Sequence, residues 1–185
     1  WPFTLNGANL RPLGTFMFRT VHRIFKHRWF DSRAAKRALS HAALTRLAER
    51  ISLSEQRHTG EIRIAIEAGL PLSYLRRRAS ARERAITLFG KLRVWDTADN
   101  NGVLVYLLLA EHAIEIVADR GLHAALPADF WNALLQQIRP ILVAGAYESA
   151  LLQAIERIDL ALSQHFPLPE GQARSNQLPD TPTLL

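Results

Sequence analysis

Residues 103–118 read VLVYLLLAEHAIEIVA. The stretch opens on seven consecutive apolar residues, 103–109, too short a run for most helices and a suitable length for a strand covered on both faces. It breaks at Ala110-Glu111-His112 and resumes as a second apolar run over 113–118. So short a connection cannot carry a crossover, so the two runs must pair as antiparallel neighbours. The stretch predicts a β-hairpin at the centre of the chain.

Upstream, residues 61–67 (EIRIAIE) alternate strictly and place Ile62, Ile64 and Ile66 on one face, the signature of a strand. Gly69 and Pro71 end it. Between this strand and the hairpin, Ser80 with Glu83 three residues on forms a capping box. It opens a helix whose apolar side is Ala81, Ala85, Leu88 and Phe89. A helix from Ser40 to about Ser54 precedes the first strand, with Leu44, Leu47, Ala48 and Ile51 as its stripe. Two helices follow the hairpin. One is expected over 127–138 with Pro127 in its first turn, and the other over 147–165 with Leu151, Leu152, Ile155, Ile158 and Leu162 inward. The order helix, strand, helix, strand, strand, helix, helix predicts an α/β fold: a three-layer α/β/α sandwich with a central mixed sheet.

The expected organisation has three parts. Residues 1–39 are an irregular start followed by a basic amphipathic helical segment, in which 1–16 lack periodicity and Met17 reads as a natural start. Residues 40–166 are the α/β/α domain, and 167–185 are a proline-containing C-terminal tail. The chain has 185 residues, 48% of them hydrophobic, enough to bury a core without covalent staples. It has no Cys, which excludes disulfides, thiolate zinc sites and a Cys nucleophile and fits a reducing compartment. No apolar run reaches the ~18 residues of a membrane span. The net charge is +6, and between Arg19 and Arg50 nine Lys and Arg residues face only Asp31 and Glu49. A cytoplasmic location is expected, with weak peripheral contact between the basic segment and an anionic membrane surface. Nucleic-acid binding is not expected, because the segment lacks interleaved aromatics and any recognisable helix-turn-helix word.

Chemistry, if present, belongs at one edge of the sheet. The polar loop 96–101 leads into the first hairpin strand and Asp119 follows the second, so pairing brings them together. A first strand parallel to the hairpin's first strand would bring Glu61 to the same edge, with His58 beside it. Asp96, Asp99, Asn101, Asp119 and Glu61 are therefore the candidate ligands for a hard cation, Ca²⁺ or Mg²⁺; Thr97 and Asn100 lie in the same loop. These are also ordinary turn and capping residues, so the pattern equally admits a loop-building role alone. No phosphatase, nucleotide-binding or serine-nucleophile motif stands in the chain.

Several words resemble the TPM domain family: HTGEIRIAIE (58–67), ARERAITLF (81–89), VWDTADNNGVLVYLLL (94–109), HAIEIVADRGL (112–122) and HFP…NQLPD (165–180). VWDT and the LPD ending look like a bacterial stand-alone branch. The resemblance implies an α/β/α fold, divalent-cation binding near the loop before NNGVL, and either an accessory role beside a partner protein or phosphatase activity. Two functions follow as expectations: a cation-binding accessory or interaction module, and a metal-assisted phosphoester hydrolase. Whether the chain is an enzyme is left open.

Overall fold

A computed structural model describes Arg23, His27 and residues 38–169, 171 and 176–185. The irregular start, residues 1–16, and most of the basic segment lie outside the described residues. The elements are α1 (His41–Ser54), β1 (Ile62–Glu67), α2 (Leu72–Arg76), α3 (Ala81–Lys91), β2 (Val103–Leu108), β3 (Ala113–Ala118), α4 (Arg120–Ala125), α5 (Phe130–Val143), α6 (Tyr147–His165) and β4 (Thr183–Leu184).

The strands form one mixed sheet in the order β3-β2-β1-β4. β2 pairs antiparallel with β3, Val103 opposite Ala118, and parallel with β1, Ile62 opposite Val103. The hairpin is as expected. Its connection is a single 3-10 turn over Leu109–Glu111, closed by His112 in the left-handed region at φ 47°. Every residue of β2 is buried, which accounts for its unbroken apolar run.

Alternation on β1 divides the core. Ile62, Ile64 and Ile66 join Val103, Val105, Leu107, Ile114 and Ile116 against α1, α5 and α6. Ala65 joins Leu104, Tyr106, Leu108 and Val117 against α2 and α3. These are the three layers of an α/β/α sandwich. Three polar groups on the α2–α3 side are buried as a set. Arg84 donates to both oxygens of Glu67 at 2.9 and 2.7 Å, and the Tyr106 hydroxyl donates to Glu67 Oε2 at 2.7 Å. Such bidentate pairing offsets the desolvation of the two charges.

Helix starts follow local chemistry. Ser40 Oγ accepts from Ala43 N at 3.2 Å and caps α1. Ser80 and Glu83 form the reciprocal capping box of α3, each side chain accepting from the other's backbone N–H at 3.1 Å. Other elements depart from expectation. α5 begins after Pro127, whose carbonyl accepts from Phe130 N, and continues through Pro140 to Val143. The chain between the first strand and Ser80 contains the short helix α2, and α4 directly follows Asp119.

The larger difference lies in the segment expected as a tail. Residues 176–185 dock along β1: Thr183–Leu184 pair parallel with it, and Leu178 enters the α2–α3 core. Proline content argued for an open chain, but the buried Glu61 carboxylate and the Arg63 guanidinium hold this one in place. Before α1, two residues are fastened to the domain. Leu70 N–H donates to His27 Nδ1 at 2.9 Å, so His27 carries its proton on Nε2, which lies 2.9 Å from Glu111 Oε1. Arg23 Nε donates to the same carboxylate oxygen at 2.8 Å.

Candidate functional site

The loop between α3 and β2 is built from its own backbone. Thr97 Oγ1 accepts from Asn101 N at 3.1 Å, and Thr97 O from Asn100 N at 3.3 Å. Asn100 takes φ 52°, a left-handed conformation that Asn tolerates better than most residues. Gly102 is obligatory, since a Cβ there would stand 1.9 Å from Val94 O. The hairpin then fixes the loop against the end of β3. Asp119 N donates to Gly102 O, and Gly121 N to Asn100 O, both at 2.9 Å.

Three of the five candidate ligands are brought to this junction. Asp99 is exposed, and its Oδ2 accepts from Thr59 Oγ1 at 2.7 Å. Asn101 is fully buried, and its Nδ2 donates to the same Thr59 hydroxyl at 3.0 Å. Asp119 Oδ1 accepts from Arg120 N at 2.7 Å. Arg120 in turn donates to Asn100 Oδ1 at 2.8 Å, a further link across the same junction. Asn101 Oδ1 and Asp119 Oδ2 are both buried side-chain oxygens without a hydrogen-bond partner.

The other two are used differently. Asp96 is exposed, and only its backbone N–H is engaged, on Arg93 O at 2.9 Å. Glu61 immediately precedes β1 at this edge, because β1 and β2 run parallel, but its buried carboxylate accepts from Gln177 N at 2.9 Å and Leu178 N at 3.3 Å. Burial pushes Glu61 up to about 7, against the opposing pull of those two N–H groups. Gln177 also links back to the loop, its Oε1 accepting from Ala98 N at 3.1 Å. His58 lies apart, fully buried, with Nδ1 on Gly60 O at 3.0 Å and Nε2 3.8 Å from Asp159 Oδ1. Burial pushes its imidazole down to about 4.

Two contributors were not singled out in the sequence. Thr59 joins Asp99 to Asn101, and Gly121 lets the loop approach. A Cβ on Gly121 would stand 2.6 Å from both Asp99 O and Asn100 O. The signals available were the Thr of the HTGE word and a Gly two residues beyond Asp119. Among the described residues, no three His, Asp or Glu side chains gather at metal-binding distance. The junction instead offers two carboxylates, one amide oxygen and backbone carbonyls.

The fold also occurs elsewhere. No curated protein matches the chain. Among solved structures it resembles the BA42 protein from the psychrophilic bacterium Bizionia argentinensis sp. nov., determined by NMR. The TM-score is 0.69 at 25% sequence identity, over 79% of this chain and 94% of that chain. The sequence profile of the TPM domain matches residues 34–161, more than half of the chain. The chain belongs to the TPM domain family.

Proposed function

We propose that the chain is a divalent-cation-binding accessory module whose site is the junction of the 96–101 loop with Asp119. One observation supports this reading above others: Asn101 Oδ1 and Asp119 Oδ2 are buried beside this loop with no donor to satisfy them. An unmet buried acceptor costs ~1–3 kcal/mol, more when it is charged, and a cation offsets that cost. The donors are all hard oxygens, the set that Ca²⁺ and Mg²⁺ take. Asp99, Asn101 and Asp119 would hold the ion by side chains. Gly121 keeps the carbonyl oxygens of Asp99 and Asn100 free of any Cβ. Thr59 and Arg120 act as positioning residues, the first orienting Asp99 and Asn101, the second linking Asn100 across the junction. Glu61 and Asp96 are left outside the ligand set. A cation bound beside the exposed Asp99 would hold the loop's outer face in one shape for a protein partner.

The test is calorimetric titration of Ca²⁺ and Mg²⁺ into the wild-type chain and into Asp99→Asn/Asp119→Asn. Saturable heat in wild type, lost in the double variant at an unchanged fold, is expected. Absence of heat in wild type overturns the reading and leaves the loop a structural one. Metal-dependent turnover of a phosphoester that disappears in the double variant would replace it with the hydrolase reading.

A further inference from the structure

We infer that the outer face of the α2–α3 layer is a docking surface for an anionic lipid bilayer. The charge of the folded domain is divided between its two helical layers. Over residues 72–95, Arg76, Arg77, Arg78, Arg82, Lys91 and Arg93 are exposed, and Glu83 is the one exposed carboxylate. On the opposite layer, the exposed and half-buried groups of α1, the turn after it, and α5 through α6 are Arg46, Arg50, Arg57, Arg139 and Arg157 against Glu49, Glu148 and Glu156, a much smaller surplus. The exposed cationic surplus is thus concentrated on the α2–α3 layer.

The two helices present one surface. Tyr74 of α2 donates its hydroxyl to Thr87 of α3 at 2.9 Å, and Arg77 bonds Glu83 at 3.0 Å, so their outward faces are held side by side. The inward faces are used up in the core by Leu75, Ala81, Ala85 and Leu88. What remains outside is cationic and also apolar. Leu72 is 43% exposed, Ile86 53% and Trp95 51%. Cations with interspersed Leu, Ile and Trp fit an interfacial surface, where Arg and Lys meet lipid phosphates and the apolar side chains reach the acyl boundary. A nucleic acid would use the same cations but offers Leu72 and Ile86 nothing apolar. The opposite layer also exposes apolar residues, Leu53, Val143 and Leu160, but with a smaller cationic surplus.

The experiment is sedimentation of the full chain with phosphatidylserine-containing vesicles and with neutral phosphatidylcholine vesicles, in EDTA, at low and high salt. EDTA separates this surface from any cation bridge through the 96–101 loop. Binding to the anionic vesicles alone, weakened by salt, is expected. Each basic residue removed should weaken it about fivefold, so Arg76→Glu/Lys91→Glu/Arg93→Glu should lose at least about a hundredfold. Ile86→Ser/Trp95→Ala should weaken it less, and Arg139→Glu/Arg157→Glu on the opposite layer should leave it intact. No wild-type binding to anionic vesicles overturns the proposal. So does full binding by the triple variant, which would place the contact in the N-terminal basic segment. Equal loss in the opposite-layer variant, or binding to DNA but not to vesicles, also overturns it.

Discussion

Gly121 has no room for a side chain, because the atoms it would meet are backbone carbonyl oxygens that cannot swing aside. Gly121→Ala should push the 96–101 loop off the end of β3, at a cost of ~1–3 kcal/mol. At ~2–4 °C per kcal/mol for a chain of this size, the thermal midpoint should fall by about 2–12 °C. An unchanged midpoint would mean that the loop moves freely and that the junction is not preformed. Two buried titrating groups make a second residue-level test, because they act in opposite directions. His58 is depressed to about 4. Its contribution is therefore whole above its unfolded value near 6.5 and is lost as pH falls toward 4. Glu61 is raised to about 7. Its contribution is whole below its unfolded value near 4.5 and is lost as pH rises through 7. The two windows overlap and partly cancel in wild type. Urea unfolding between pH 4 and 7 should therefore show stability rising more steeply with pH in Glu61→Gln than in wild type, and less steeply in His58→Asn. Parallel profiles in the two variants would sink both assignments.

Among elements, β4 shows how a few residues can matter beyond their length. Only Thr183 and Leu184 pair in the sheet, yet the segment leading to them supplies partners to Arg63 and Glu61. Arg63 donates to Pro179 O and Thr181 O and, at 2.6 Å, to Thr183 Oγ1. Glu61 takes the N–H groups of Gln177 and Leu178. Deleting 176–185 strips these bonds and exposes the core around Leu178, so stability should fall by about 2–5 kcal/mol. A midpoint equal to wild type in a thermal melt would return the segment to the status of a loose tail. The same element marks where the sequence stopped being legible. The hairpin, the Ser80–Glu83 capping box and the helix over 147–165 could be read because each is specified by neighbours a few residues away. α2 has five residues, too few for a period, and α4 is announced only by Asp119, which also reads as a loop acid. β4 owes its place to acceptors and donors more than a hundred residues upstream. The site divides the same way. Asp99, Asn101 and Asp119 follow from hairpin geometry alone. That Glu61 is turned to the C-terminal segment depends on a long-range contact no local pattern encodes.

At the scale of the molecule, one sheet separates two cores, and its four strands are not equally protected. β1 and β2 have a strand on either side and a helical layer on both faces. β3 has a strand on one side only. The backbone shows which of its groups face the open edge. Asp119 N–H points inward to Gly102 O, whereas Ile116 O points outward and accepts from the Arg82 guanidinium. With period-2 alternation, Ile114, Ile116 and Ala118 carry the outward groups. Arg82 sits where a further strand would pair, as charges on edge strands commonly do to discourage sheet-to-sheet association. Amide hydrogen exchange should therefore be slowest within β1 and β2, opening only with global unfolding, while the amides of Ile114, Ile116 and Ala118 exchange orders of magnitude faster. Arg82→Ala should quicken exchange at this edge without slowing any part of the sheet. If the outward amides of β3 prove as protected as those of β2 in dilute wild-type protein, then something covers this edge in solution. Repeating the measurement across a concentration series then separates a second copy of the chain, whose protection fades on dilution, from a segment of the same chain, whose protection does not.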